Sequence, residues 1–232
     1  MKCAIMQPHF FPWPGYFNLI SKVEKFVFLD DVQYSKNSWQ SRNQILVNKK
    51  KNLLILPIKK SPLDTNIDKK IIDFSKNWQA KHKKKILENY SKCDYYKDLE
   101  ELISFAYQTK ILNLAEYNIS VIKFICSKFN FKTHFVNSSK LKIDGKRTSK
   151  LIKILEKIGA TEYISTTGTR EYLKDDEFEK ITNVKLIFNN FMNKPYKQIN
   201  TEEFVSNLSI IDMIANLGWI ETSSLVKIDY NG

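Results

Sequence analysis

The sequence predicts a Rossmann-like α/β fold, a mainly parallel sheet flanked by helices. Two observations carry that reading. Short apolar runs alternate with helix-period segments at both ends of the chain, as strands joined by crossover helices do. Between them, about residues 75–130 form a helix-rich region with few breakers, expected to cover the sheet or form a subdomain. No linker, repeat or low-complexity stretch divides the chain, so residues 1–232 are read as a single domain.

Residues 2–7 form an apolar run that reads as a buried strand, ended by Pro8, which has no N–H for a ladder. Pro12, Pro14 and Gly15 keep residues 8–15 out of regular structure, and residues 16–22 read as a short helix. Residues 25–29 are a second strand, ending at the adjacent Asp30 and Asp31. Residues 32–44 are polar and irregular. Residues 45–47 and 53–58, separated by the basic stretch 48–52, read as a β-hairpin.

Trp78, His82, Ile86 (or Leu87) and Tyr90 lie at helical spacing and predict a helix over 78–90, with further helices over 98–108 and 114–129. Residues 134–136 are a strand candidate, and residues 148–158, ended by Gly159, have the signature of a helix. Tyr163 and Ile164 lead as a strand into a turn at 165–169. Residues 184–188 read as another strand, and residues 204–217 as a closing helix stopped by Gly218.

At 43% hydrophobic and 27% charged, the chain can bury a substantial core and is neither disordered nor fibrous. Cys3, Cys93 and Cys126 have no close spacing, which excludes a disulfide framework and a CxxC knuckle and fits a reducing compartment. No metal-ligand spacing is present. The start enters an apolar strand without a signal-peptide layout, and no apolar run approaches a membrane span. The expectation is a cytoplasmic protein with no membrane insertion. The formal charge of +12 has two readings. One is an anionic partner: RNA, a nucleotide-linked substrate or a membrane surface. The other is a lysine-rich composition displayed on solvated helix faces, as at Lys81, Lys83, Lys84 and Lys85.

In open α/β sheets, ligands bind beyond the carboxyl ends of strands, and two loops there are rich in site-type residues. In residues 7–17, prolines stiffen an aromatic wall containing Trp13 and Tyr16, while Gln7 and His9 supply polar atoms at the strand exit. Gly15 allows close backbone approach, and the following helix start offers N–H groups to an anion. In residues 28–45, Asp30 and Asp31 can hold a metal or a ribose hydroxyl, act as a base, or cap a turn. Gln33 adds a polar side chain. Lys36 and Arg42 suit phosphate or carboxylate, and Trp39 can stack on a base or sugar.

Together the two segments resemble the WbqC-like proteins, whose hallmark is a QPxFFPWxGYF stretch followed by DxVQYxKxSWxNRN. Residues 7–17 and 31–43 carry the pattern, with Ser41 where Asn is usual. Leu56-Pro57-Ile58 is similar to the family's post-motif strand, Trp78-Gln79-Ala80-Lys81-His82 to its WxxKH helix, and Tyr95-Tyr96 to its aromatic pair. Tyr163-Ile164-Ser165 and Tyr172-Leu173 resemble a YLSGPxGxxYL turn in which Thr166 and Thr167 replace Gly and Pro. Pro195-Tyr196-Lys197-Gln198 and residues 208–212 complete the likeness.

The resemblance implies a role in O-antigen or related surface-polysaccharide synthesis. The activity it suggests is transfer of glycine or a related acyl group to the amine of a nucleotide-linked amino sugar. Such a reaction needs a base, oxyanion donors and an activated acyl group. Asp31, His82 and His9 are the candidates for the base; Gln7, Trp13, Tyr16, Gln33, Lys36, Trp39, Arg42 and Ser165 are the candidates for substrate binding. His134 is read as structural. ATP with Mg²⁺, an aminoacyl-tRNA or an acyl-CoA would each supply the acyl group, and no GxxxxGK[ST] or GxGxxG motif chooses among them. A non-catalytic RNA- or glycan-binding protein is the alternative, with Trp13, Tyr34 and Trp39 as stacking platforms. A third reading is an ATP-using enzyme. The post-strand loop and residues 164–170 are similar to the HxGH and ISSTxxR segments of nucleotidyltransferases, with Trp13 and Tyr16 where histidines would stand.

Overall fold

A computed structural model describes residues 1–199 and 201–228. In chain order, β1 (Lys2–Met6) is followed by α1 (Pro14–Ser21) and β2 (Lys25–Phe28). The hairpin β3 (Arg42–Val47) and β4 (Lys50–Ile55) then precedes the helical region of α2 (Trp78–Tyr90), α3 (Tyr96–Gln108) and α4 (Leu114–Lys128). After β5 (His134–Asn137) come α5 (Ser138–Leu141), α6 (Arg147–Lys157) and β6 (Glu162–Thr166). The last elements are α7 (Arg170–Asp175), α8 (Phe178–Ile181), β7 (Lys185–Asn189) and α9 (Ile210–Val226). Among the described residues no helix is long and apolar enough to cross a membrane.

The main sheet has five strands among the described residues, in the order β5-β2-β1-β6-β7. All four neighbouring pairs are parallel, with Ala4 opposite Phe26 and Cys3 opposite Tyr163 across β1. Counted in chain order within the sheet, the strands run 3-2-1-4-5. The order therefore reverses between β1 and β6, where Rossmann-type sheets open a crevice. Side chains alternate across β1: Ala4 joins one core cluster with α1, α4 and α9, while Cys3 and Ile5 join another with α6, α7 and α8. A sheet buried on both faces explains why its strands read as continuous apolar runs.

Two expectations need correction. The hairpin strands start earlier than their apolar patches, because Asn48 and Lys49 both take left-handed conformations and close a tight two-residue turn. The last helix does not run over 204–217; it starts at Ile210, capped by Ser209, and continues past Gly218 to Val226. Gly218 kinks it at φ 70°, and the restarted half is capped from outside, Trp219 N–H donating to Asp98 Oδ2 at 2.9 Å. A Cβ at Gly218 would lie 2.4 Å from the Tyr95 ring.

The chain leaving β1 is irregular yet buried, so its carbonyls need partners from elsewhere. Tyr16 Oη donates to Gln7 O at 3.0 Å, and Asn118 Nδ2 to Pro8 O at 3.0 Å. Asn43 Nδ2 donates to Phe10 O and Phe11 O at 3.1 and 2.7 Å. Ser209 Oγ also reaches Phe11 O, and Ile210 N–H reaches Pro12 O. Phe11 itself sits at φ 39°, a strained conformation for a non-glycine residue. This web fixes where Gln7 and His9 emerge. Asn43→Ala should lower the unfolding free energy by about 2–4 kcal/mol in urea titration, because it strips buried carbonyls of a donor. Asn183→Ala, at an exposed position, should stay within about 0.5 kcal/mol; equal effects at both positions would refute the role given to the web.

Candidate functional site

A cleft opens at the carboxyl ends of β1, β2 and β6 in two adjoining lobes of about 340 and 210 Å³. Gln7, Leu29, Leu151 and Tyr172 belong to both lobes. The larger adds Val32, Arg147 and Lys150; the smaller adds His9, Ser165, Thr166 and Thr169. The cleft thus lies at the reversal of strand order, where the exits of β1 and β6 diverge.

Gln7 is clamped by Gln40, whose Nε2 donates to Gln7 Oε1 at 2.6 Å, leaving the Gln7 amide N–H groups without a protein partner among the described residues. His9 packs its ring 5.4 Å from that of Tyr16. Burial lowers its pKa to about 4, so the imidazole is neutral near pH 7. Among the described residues it has no hydrogen-bond partner, which leaves its nitrogens available to a ligand.

The two aspartates divide their roles. Asp30 is buried and saturated: Ser139 N–H, Ser139 Oγ and Asn137 Nδ2 all donate to its carboxylate, at 2.9 Å each. It is the turn cap anticipated for one of the pair. Asp31 Oδ2 instead holds the Lys150 ammonium at 2.8 Å, and Lys150 Nζ also donates to Asp31 O at 3.2 Å. Both partners are largely buried, with 8% and 16% of the Lys150 and Asp31 side chains exposed. At the mouth, Asp176 accepts from Thr148 Oγ1 at 2.6 Å and pairs with Arg147 at 3.4 Å. Tyr172 beside it is held above its usual range, first by burial and then by the Asp176 charge. On the β6 side, Ser165 Oγ lies between Tyr163 Oη and Thr169 Oγ1, at 3.2 and 2.8 Å.

The cleft therefore gathers Gln7, His9 and Ser165, and Asp31 through its partner Lys150. Trp13 and Tyr16 have structural tasks instead. Trp13 covers Gly15 so closely that a Cβ there would lie 2.3 Å from the indole, and Tyr16 is fully buried. The start of α1, expected to offer N–H groups to an anion, does not line the cleft: Pro14 has no N–H, and Tyr16 N–H donates to Trp13 O at 3.0 Å. Gln33 is spent on Leu63 O, and Lys36 and Trp39 are exposed. Neither these three nor Arg42 lines the cleft.

His82 is not brought there either. Its Nε2 accepts from Ile55 N–H at 3.2 Å and its Nδ1 meets Tyr107 Oη at 3.1 Å, in a nest of Trp78 and Phe10. Arg147 and Lys150 were not singled out from sequence, and Thr166, Thr169 and Tyr172 were quoted only within segments similar to known families, not as site residues. Tyr172 lay within a quoted family segment, whereas the two cations sit in a helix that reads as ordinary amphipathic surface.

The profile of the WbqC-like protein family matches residues 7–224, from the clamped Gln7 to the last turns of α9. The chain belongs to the WbqC-like protein family. A relative, uncharacterized protein Rv1507c of Mycobacterium tuberculosis (strain ATCC 25618 / H37Rv), is 28% identical over 219 residues, covering 94% of each chain. No solved structure matches the chain. In this WbqC-like protein, much of the N-terminal signature builds the floor and walls, while Gln7 and His9 face the cleft.

Two desolvated histidines, the half-buried His9 and the buried His82, make stability depend on pH. Burial, and for His82 the Lys85 charge as well, lowers both pKa values from 6.5 to about 4. Between those values the unfolded chain binds more protons, so stability falls as pH drops from 6.5 toward 4 and is insensitive to these groups above 6.5. The His82 contribution to that fall is about 3 kcal/mol. His82→Gln should flatten the dependence by about that amount in urea melts at pH 4 and 7; an unchanged slope would mean that His82 is not the buried neutral group.

Proposed function

We propose that this WbqC-like chain is a transferase that adds glycine or a related acyl group to the amine of a nucleotide-linked amino sugar, in O-antigen or related surface-polysaccharide synthesis. One observation carries the reading: a neutral imidazole, an unpartnered amide and two basic side chains converge where the strand order reverses. The amine must lose a proton as it adds to the acyl carbon, and neutral His9 can take it. The Gln7 N–H groups and the Thr166 hydroxyl supply donors for the oxyanion, while the Thr169 hydroxyl is spent on Thr166 O at 2.7 Å. Lys150, oriented by Asp31, and Arg147 attract the diphosphate, while Leu29, Val32, Leu151 and Tyr172 offer an apolar wall to the base. Asp31 is thus a positioning residue in this reading, and the base is His9 rather than Asp31 or His82.

A second reading, an enzyme that uses ATP, is favoured by one observation: the turn after β6 borders the same cleft as the loop after β1. Thermal-shift titration separates the two. UDP- or dTDP-linked amino sugars should raise the melting temperature of the wild type by mass action. Lys150→Gln should abolish the shift, while His9→Gln should keep it and slow amide formation by roughly 10²-fold or more. A shift with ATP alone, with pyrophosphate released on adding acid, would move the second reading ahead. No shift with either ligand would sink the cleft assignment.

A further inference from the structure

A groove of about 500 Å³ lies away from the cleft, between the β3–β4 turn and α2. Val47 and Asn48 form one side of it, and Lys81, Lys84 and Lys85 the other. The turn beside it continues into Lys49, Lys50 and Lys51, all exposed. Against these six lysines stands Glu88, loosely paired with Lys84 at 3.8 Å. Two features show that this charge is carried at a cost. Lys49 sits at φ 65°, where a tight hairpin turn calls for glycine. Lys81, Lys84 and Lys85 lie three and four residues apart on one helix, where like charges repel. Lys85 is fixed from below, donating to Asn52 Oδ1 at 2.6 Å and Leu53 O at 3.2 Å, so the helix and hairpin hold a set spacing.

We propose that this groove is a docking surface for the phosphodiester backbone of an RNA duplex, whose single-stranded 3′ end carries the acyl group to the cleft. Lysines along the α2 wall, with the exposed Lys49, Lys50 and Lys51 following the turn that forms the other wall, give a charged strip that suits a narrow polyanion, and the groove's lining has no aromatic anchor for a membrane. At ~3.3 Å per residue, β3 spans about 17 Å from the groove back to Arg42. Gln40, two residues before it, grips Gln7 in the cleft, so a few unpaired nucleotides cover the distance. The delivery step rests on the transferase reading, whereas the docking does not. In that step the sugar amine adds to the carbonyl of the RNA-borne ester, the ester C–O bond breaks, and the terminal ribose hydroxyl leaves with a proton.

The test uses the full chain and a fluorescent RNA hairpin with a single-stranded 3′ end, read by anisotropy across a salt series. Lys49→Gln/Lys81→Gln/Lys84→Gln should weaken binding at least tenfold and reduce the log–log salt slope by roughly 2 to 3. Lys49→Gly should weaken binding while the melting temperature holds or rises, because glycine suits the turn; that pairing separates a docking role from a folding role. Both effects should appear whether or not the cleft binds nucleotide sugars. Salt-insensitive binding, equal binding of a matched DNA duplex, or loss of binding to anionic vesicles but not to RNA in the triple variant would overturn the proposal.

Discussion

The structure turns on an irregular segment that must be buried. After Met6 the chain leaves the sheet, and its prolines and left-handed Phe11 rule out a helix or a ladder until Pro14. The carbonyls of Gln7, Pro8, Phe10, Phe11 and Pro12 are met by Tyr16, Asn118, Asn43, Ser209 and the start of α9. Each buried carbonyl left bare would cost about 1–3 kcal/mol, against a total stability of about 5–15 kcal/mol for a domain. The interaction is therefore large enough to dictate which elements gather around β1. It pulls the hairpin, α4 and α9, distant in sequence, onto one loop.

That constraint separates positioning from chemistry within a single signature. Asn43 and Tyr16 answer backbone carbonyls, Gly15 makes room for Trp13, and Asp30 caps the turn into α5. With these fixed, Gln7 and His9 are left facing open space, and neither has its full hydrogen-bonding capacity used by the protein. The N-terminus of α1 does not line the cleft, and the cations there come instead from α6. A Rossmann-like sheet thus keeps its binding place while changing the element that supplies positive charge.

The parallel sheet was legible because strands buried on both faces are short apolar runs, and because Pro8, Gly159 and the Asp30–Asp31 pair punctuate them. Helix α2 was legible from Trp78, His82, Ile86 and Tyr90, all buried as the spacing requires. The same stripe misled about chemistry, since a histidine on a core face has the spacing of its neighbours whatever its role. The continuation of α9 was hidden because Gly218 looks like a stop. The Asp98 carboxylate, brought over from α3, caps the restarted half. Lys150 was hidden for a related reason: its meaning depends on Asp31, 119 residues away along the chain.

Burial has opposite consequences for the two polar groups that define the cleft. Among the described residues His9 has no charge partner, so desolvation is answered by remaining neutral, the state in which an imidazole accepts a proton. Lys150 is more sheltered still but is answered by Asp31 at 2.8 Å. A buried ion pair is a weak source of stability, because desolvation offsets most of its Coulombic gain. Well-packed apolar residues would fill the same floor at no such cost. What the pair contributes is an ammonium of fixed position in the lobe adjoining the one that holds the neutral base, in a crevice otherwise walled by Leu29, Val32 and Leu151. Orienting an anion and removing a proton call for that division, and neither property is needed to hold the sheet together.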